Sequence, residues 1–228
     1  LAVDRPGLIA GLLDGRGTLS AGDILPGSWA YNPQAADLYP YDPAQARALL
    51  AQAGWHPGTD GILVKDGRRF SFTLSTDAGN RLRQEIALTV RQQWRQIGVE
   101  IEIAFVERNT FVTEQVLKGQ FQAALLQSSV RADPDLSRRF HSRSMRSGQN
   151  FLSYSNPLLD DLLEQALRLA APAERAPLYL QAQMILAQDV PQINLFYPTA
   201  YYIFRSDVQG IRPSAMSAFW NVQEWRRK

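Results

Sequence analysis

RRFSFTLSTDAGNRLRQEIALTVRQQWRQIGVEIEIAFVE, residues 68–107, decides the fold. It opens with alternation. Phe70, Phe72 and Leu74 interleave with Ser71, Thr73 and Ser75, the two-residue period of a half-buried strand. After Gly79 the period changes. Leu82, Ile86, Val90, Trp94 and Ile97 recur every three or four positions, which draws one apolar stripe on a helix, and Gly98 ends it. The two-residue period then returns, with Val99, Ile101, Ile103 and Phe105 inward and Glu100 and Glu102 outward. A helix from Thr110 closes at Gly119, and FQAALLQSS (121–129) follows as a short apolar strand. Strand, helix, strand, helix, strand describes a βαβαβ unit with right-handed crossovers, and so an α/β fold.

The flanks extend this reading. Asp4 is placed to cap a short helix with Pro6 in its first turn, and Gly15 and Gly17 stop it. Residues 18–40, rich in Gly, Pro and Tyr around LPGSWAYNP, read as an ordered extended crossing segment that Trp29 and Tyr31 help to bury. Asp42 caps PAQARALLAQAG, whose stripe is Ala46, Leu49, Leu50 and Ala53. Asp66-Gly67 signals a two-residue hairpin. Downstream, helices start near Asn156-Pro157 and near Ala173. Their predicted stripes are Leu158, Leu159, Leu162, Leu163 and Leu167, then Leu178, Leu180, Ala182, Ile185 and Leu186. INLFYPTAYYIFRS reads as a last strand region, broken at Pro198.

Composition narrows the function classes. The 228 residues carry 24 basic and 22 acidic side chains, a net charge of +2, too balanced for a broad nucleic-acid footprint. Short basic clusters stand at Arg138-Arg139 and at Arg226-Arg227-Lys228. With no cysteine there is no disulfide, thiolate metal site or cysteine nucleophile. No apolar run approaches the roughly 18 residues of a membrane span, so direct membrane insertion is not expected. The opening LAVDRPGLIAGLLDG lacks a basic leader and reads like the middle of a longer protein. The two histidines, His56 and His141, fit no metal spacing, and neither a GxSxG nor a Walker motif is present. No metal, cofactor or catalytic set is expected. A hydrolase and a pure interaction domain, the latter presenting Tyr201-Tyr202 and Phe219-Trp220, stand as lesser alternatives to binding.

Six segments resemble, in order, the extracytoplasmic solute-binding proteins of peptide and nickel ABC transporters, family 5. They are LAVDRPGLIAGLLDG (1–15), YPYDPAQARALLAQAGW (39–55), RQQWRQIGVEIEI (91–103), DPDLSRRF (133–140), GQNFLSYSNPLLDDLLEQA (148–166) and LYLQAQMILAQDVPQINLF (178–196). The chain is similar to the C-terminal half of such a protein. The resemblance implies a type II periplasmic-binding-protein-like lobe with a central mixed sheet flanked by helices. It divides the chain into a crossing segment with an N-terminal helix (1–40), a ligand-binding lobe (41–205) and a segment returning toward a missing first domain (206–228). It also implies a peptide or small-molecule ligand, a periplasmic or extracytoplasmic location, and two partners, the missing N-terminal lobe and an ABC permease. Hinge closure over the ligand would precede delivery.

Ligand contacts are expected at the carboxyl ends of strands. Ser75 and Thr76, ahead of Asp77, end one strand, and Arg108 follows another. In peptide-binding members an Asp on the third strand's loop pairs with the peptide ammonium. That position falls on Val130 counting back from Pro134, or on Arg131 counting from the strand, and neither is an acid. The tryptophan that precedes it falls on Gln127 or Ser128, with Ser129 beside them. Asn150 matches a family Asn, as a loop brace or a ligand contact. Arg131 suits a carboxylate, phosphate or sulfonate, so an anionic, sugar-like or opine-like solute stands as the alternative to a peptide. Asp133 and Asp135 read as turn formers or caps.

Overall fold

Asp4 opens the first helix. Its carboxylate accepts the Gly7 amide at 2.8 Å, and α1 runs Arg5–Leu13 with Pro6 in its first turn. In this computed structural model the described residues are 1–228 apart from Asp37, Val130, Ala215 and Met216, and apart from the side chain of Ser147. β1 (Gly17–Leu19) pairs antiparallel with Phe196–Pro198. The Arg5 guanidinium donates to the carbonyls of Ser20 (3.2 Å), Asn194 (3.2 Å) and Ala36 (2.8 Å), which ties α1 to both crossing segments.

Asp42 caps α2 (Pro43–Gln52) through the Gln45 amide at 2.8 Å. Ala46 is buried, but Leu49 is exposed, so only part of the predicted stripe faces the core. β2 (His56–Pro57), β3 (Leu63–Lys65) and β4 (Arg68–Arg69) form an antiparallel meander. Asp66 and Gly67 turn its second hairpin with φ of 50° and 73°, the paired positive angles that a two-residue turn demands.

The central unit follows as β5 (Ser71–Asp77), α3 (Arg81–Gln96) and β6 (Glu100–Val106). Gly98 joins α3 to β6 at φ 84°. A Cβ there would stand 2.8 Å from Leu63 Cγ, so helix and meander pack too closely for a side chain. α4 (Arg108–Thr110) runs directly into a wider π-helical turn, Phe111–Val116. β7 (Ala123–Ala124) completes a parallel sheet in the order β6-β5-β7, with Ser71 opposite Glu100 and Leu74 opposite Ala123. The strand expected over 121–129 pairs as a regular ladder for two residues only. The Thr73 amide is taken by the Gln122 side chain at 2.6 Å, which replaces a ladder bond. Phe105, expected inward, is exposed at the carboxyl end of the edge strand β6.

Two short helices, α5 (Ser137–Phe140) and α6 (Ser144–Ser147), lead to the helical pair α7 (Pro157–Arg168) and α8 (Pro172–Asp189). Asn156 caps α7 with its side-chain oxygen. Leu159, Leu162, Leu163 and Ala166 are buried at the i, i+3, i+4, i+7 spacing of one helical face, while Leu158 and Leu167 lie outside it. On α8 the buried residues are Tyr179, Ala182 and Gln183, and Leu180 is exposed. β8 (Phe196–Pro198) keeps three residues of the predicted last strand, and β9 (Val208–Gln209) pairs antiparallel with β10 (Arg226–Arg227).

The fold is α/β. Parallel and antiparallel pairing, expected in one mixed sheet, is divided among four sheets in the described residues: the parallel centre and three small antiparallel ones. One core cluster joins Leu136, Phe140, Leu159, Leu163, Tyr179 and Ala182 between α5, α7 and α8. A second joins Ala46, Leu63, Ile97, Val99 and Ile101 beneath the central sheet. The loop that leaves β7 is hydrogen-bonded to both α3, through Gln127, and α5, through Ser128.

Candidate functional site

A cavity of about 430 Å³ lies beyond the carboxyl ends of the parallel strands. Gln127, Ser128, Ser129 and Arg131 line it from the loop after β7. Val112, Val116 and Leu117, from the helical turns after β6, and Leu126 give it an apolar wall. Asp23 enters from the crossing segment, and Asp133, Asp135, Arg138 and Arg139 come from the turn and helix that follow the loop.

The loop is anchored by charge. Asp77 ends β5 buried and pairs with Arg83 on α3, whose guanidinium also donates to Gln127 Oε1 at 3.2 Å. Arg139 donates to Asp23 Oδ1 (2.5 Å), Ser128 Oγ (2.5 Å) and Gln192 Oε1 (3.0 Å). Four separate stretches of chain therefore meet on one guanidinium. Burial pushes the Asp23 carboxyl above its usual range; the attraction of Arg139 and the Gln192 hydrogen bond oppose this without cancelling it. Asp133 is held in a fork by Arg175 at 2.8 and 2.9 Å, and that pairing keeps its carboxyl below the usual range. Arg175 also donates to the Tyr179 hydroxyl oxygen at 2.8 Å and lies 5.4 Å from the centre of the Trp29 ring. Asp133 and Asp135 act as turn formers too, since they accept the amides of Asp135 (3.0 Å) and Ser137 (2.9 Å).

The structure brings together four of the nine residues singled out from sequence: Gln127, Ser128, Ser129 and Arg131. Val130 lies outside the described residues. Ser75 and Thr76 are buried inside β5 and do not line the cavity; Thr76 Oγ donates to the Leu125 carbonyl at 3.1 Å. Their side chains face neighbouring structure because the strand end is covered by the chain leaving β7. Arg108 is exposed at the start of α4 and does not line the cavity either. Asn150 is buried and fully engaged with backbone: its amide donates to the carbonyls of His141 (3.2 Å) and Tyr154 (2.8 Å) and its oxygen accepts the Tyr154 amide (3.1 Å). It braces the loop.

Sequence reading missed Asp23 and Arg139, whose pairing spans 116 positions and leaves no local pattern. The Arg138-Arg139 doublet was the one visible hint. His141 is buried away from the cavity. Its Nδ1 lies 3.2 Å from the Arg143 amide and 3.3 Å from Asp160 Oδ1, and its Nε2 lies 3.3 Å from Glu164 Oε1. Among the described residues no group of three or more histidines and carboxylates is gathered to hold a metal. Among the described residues no helix is long and apolar enough to cross a membrane.

The model of the bacterial extracellular solute-binding proteins, family 5 (Middle), matches residues 1–147. The oligopeptide-binding protein AppA of Bacillus subtilis is 32% identical over 98% of this chain and 42% of its own length. The glutathione-binding protein GsiB of Escherichia coli K12 is 33% identical over 85% of this chain and 37% of its own. Among solved structures, AppA in complex with a nonapeptide superposes with a TM-score of 0.86 at 30% identity, covering 100% of this chain and 46% of AppA. NikZ of Campylobacter jejuni, in complex with Ni(L-His), superposes at 0.79 and 26%, covering 99% of this chain and 47% of NikZ. The chain thus spans about 40% of the length of the curated relatives it matches.

Proposed function

The chain belongs to the bacterial extracellular solute-binding proteins of family 5, and on that premise we propose that it is one jaw of a clamp that captures a peptide or peptide-like solute. The cavity at the carboxyl ends of the parallel strands carries this reading. Such positions are where open α/β sheets hold ligands. Its walls mix an apolar face with neutral hydrogen-bonding groups, guanidinium groups and carboxylates, the lining of a binding pocket. Residues 41–205 are the jaw; residues 1–40 and 206–228 run toward a second lobe that supplies the facing wall. Closure about the crossing segments traps the solute, and the closed form delivers it to an ABC permease at the outer face of the membrane.

The candidate contacts are Gln127, Ser128, Ser129 and Arg131. Relatives named for oligopeptide and glutathione binding support a peptide-like solute. A binding role is also supported by His141, the histidine nearest to carboxylates, being buried in packing rather than open to solvent.

Ser129→Trp tests the site. Ser129 is exposed, so stability is expected to stay within about 0.5 kcal/mol, as for most surface changes. The indole occupies cavity volume, and affinity of the intact protein for the solute that co-purifies with it should fall at least about tenfold, or 1.4 kcal/mol. Calorimetry with that solute, identified by mass spectrometry, reads the effect. Undiminished affinity would move the site elsewhere.

A further inference from the structure

We propose that the solute of this cavity is anionic, a carboxylate-bearing peptide-like molecule that presents no free ammonium to this jaw, and that Arg131 and Arg138 receive its negative charge. This rests on the solute-binding reading above and names the class of solute.

Three carboxylates line the cavity, and each is engaged. Asp23 accepts from Arg139 and, at 3.0 Å, from Gln192. Asp133 is forked by Arg175. Asp135 accepts the Ser137 amide and has no cation on it. Three guanidinium groups line the same cavity. Arg139 is committed to Asp23 and to the loop. Arg131 and Arg138 are exposed, and among the described residues neither guanidinium has a hydrogen-bond or ion-pair partner.

The paired groups cancel. What remains is two lone guanidiniums against one half-buried carboxylate, Asp135, so the field an entering solute meets is positive. An ammonium would find no uncompensated carboxylate free of hydrogen bonds, and would add a like charge beside Arg131 and Arg138. A carboxylate finds donors of matching fork geometry. The apolar wall of Val112, Val116, Leu117 and Leu126 adds a second requirement, an apolar group within reach of the charge.

Calorimetry on the intact protein with two synthetic probes tests this. N-acetyl-alanyl-leucyl-glutamate carries carboxylates and no ammonium; alanyl-leucyl-alanine amide carries an ammonium and no carboxylate. The first should bind at least about tenfold tighter, and the gap should close in Arg131→Ala/Arg138→Ala. Arg131→Lys/Arg138→Lys should keep part of it, because the charge remains while the fork is lost. Equal or tighter binding of the amide, or a gap unchanged by the double alanine variant, would overturn the charge assignment and leave the solute-binding reading standing. If neither probe nor any member of a pooled peptide library bound, both would fall.

Discussion

Replacing Arg139 by alanine is expected to destabilise the protein by about 3 kcal/mol at neutral pH, the lower end of what breaking a buried ion pair costs. The Arg139 side chain is only 19% exposed and that of its partner Asp23 12%. Removing it leaves Asp23 with Gln192 alone and releases Ser128 Oγ. The effect should depend on pH, with a definite sign. The folded-state pKa of Asp23 is already raised by burial, and without Arg139 it rises further. A carboxyl whose folded pKa lies above its unfolded value is most compatible with folding when protonated, below the unfolded pKa. That contribution is lost as pH rises through the folded pKa. The deficit of Arg139→Ala should therefore shrink on acidification and be largest at neutral pH. Urea unfolding midpoints of both proteins at neutral and mildly acid pH read this directly. The double variant Asp23→Asn/Arg139→Ala, which leaves no buried charge, should recover part of the loss. Solute affinity should fall in Arg139→Ala as well, since the loop carrying Gln127, Ser128 and Ser129 loses its anchor. A deficit that does not change with pH would mean that the guanidinium acts through packing on Phe140, 5.7 Å away, rather than through charge.

Leu163→Ala should cost a similar amount for a different reason. Leu163 is fully buried in the cluster that joins α5, α7 and α8, with Leu136 and Phe140 in the same cluster. Removing its branched end deletes buried apolar atoms and leaves a cavity, a loss of about 3 kcal/mol within the range of 2–5 kcal/mol for such truncations. At about 2–4 °C per kcal/mol for chains of this size, the melting temperature should drop by about 10 °C. The urea dependence should shift in midpoint without a change in slope, and the deficit should be the same at neutral and mildly acid pH. That contrast with Arg139→Ala separates packing from electrostatics beneath one site. A loss below about 1 kcal/mol would show that α7 and α8 reclose over the gap.

The central βαβ unit was legible because each of its periods is strong. Alternation over 70–75 and 99–103, the stripe from Leu82 to Ile97, and Gly98 all agree with one another and with the fold. Two caps were equally clear: Asp4 and Asp42 each hold the amide that its position predicted. The stripe of α7 was read too wide. Five leucines look interchangeable in sequence, but only one helical face can touch α5 and α8, so Leu158 and Leu167 stay out. The strand at 121–129 was read too long because apolar residues do not show which amides a neighbouring side chain will take, as Gln122 takes that of Thr73. The lining of the cavity was legible in part. The loop after β7 could be placed from strand order alone, and with it Gln127, Ser128, Ser129 and Arg131. Ser75 and Thr76 were misjudged because a strand's carboxyl end can be covered by the chain that leaves its neighbour. Asp23 could not be found from sequence, since nothing in a Gly- and Pro-rich crossing segment records a partner so far along the chain.

Hydrogen exchange of the intact protein, read by mass spectrometry with and without its co-purifying solute, tests the jaw assignment most directly. Amides of residues 126–129, 131 and 132, and those of 112–117 across the cavity, should slow together when solute is added, while the face of α7 remote from the cavity stays unchanged. Protection confined to other surfaces, with these two stretches exchanging at the same rate in both states, would contradict it.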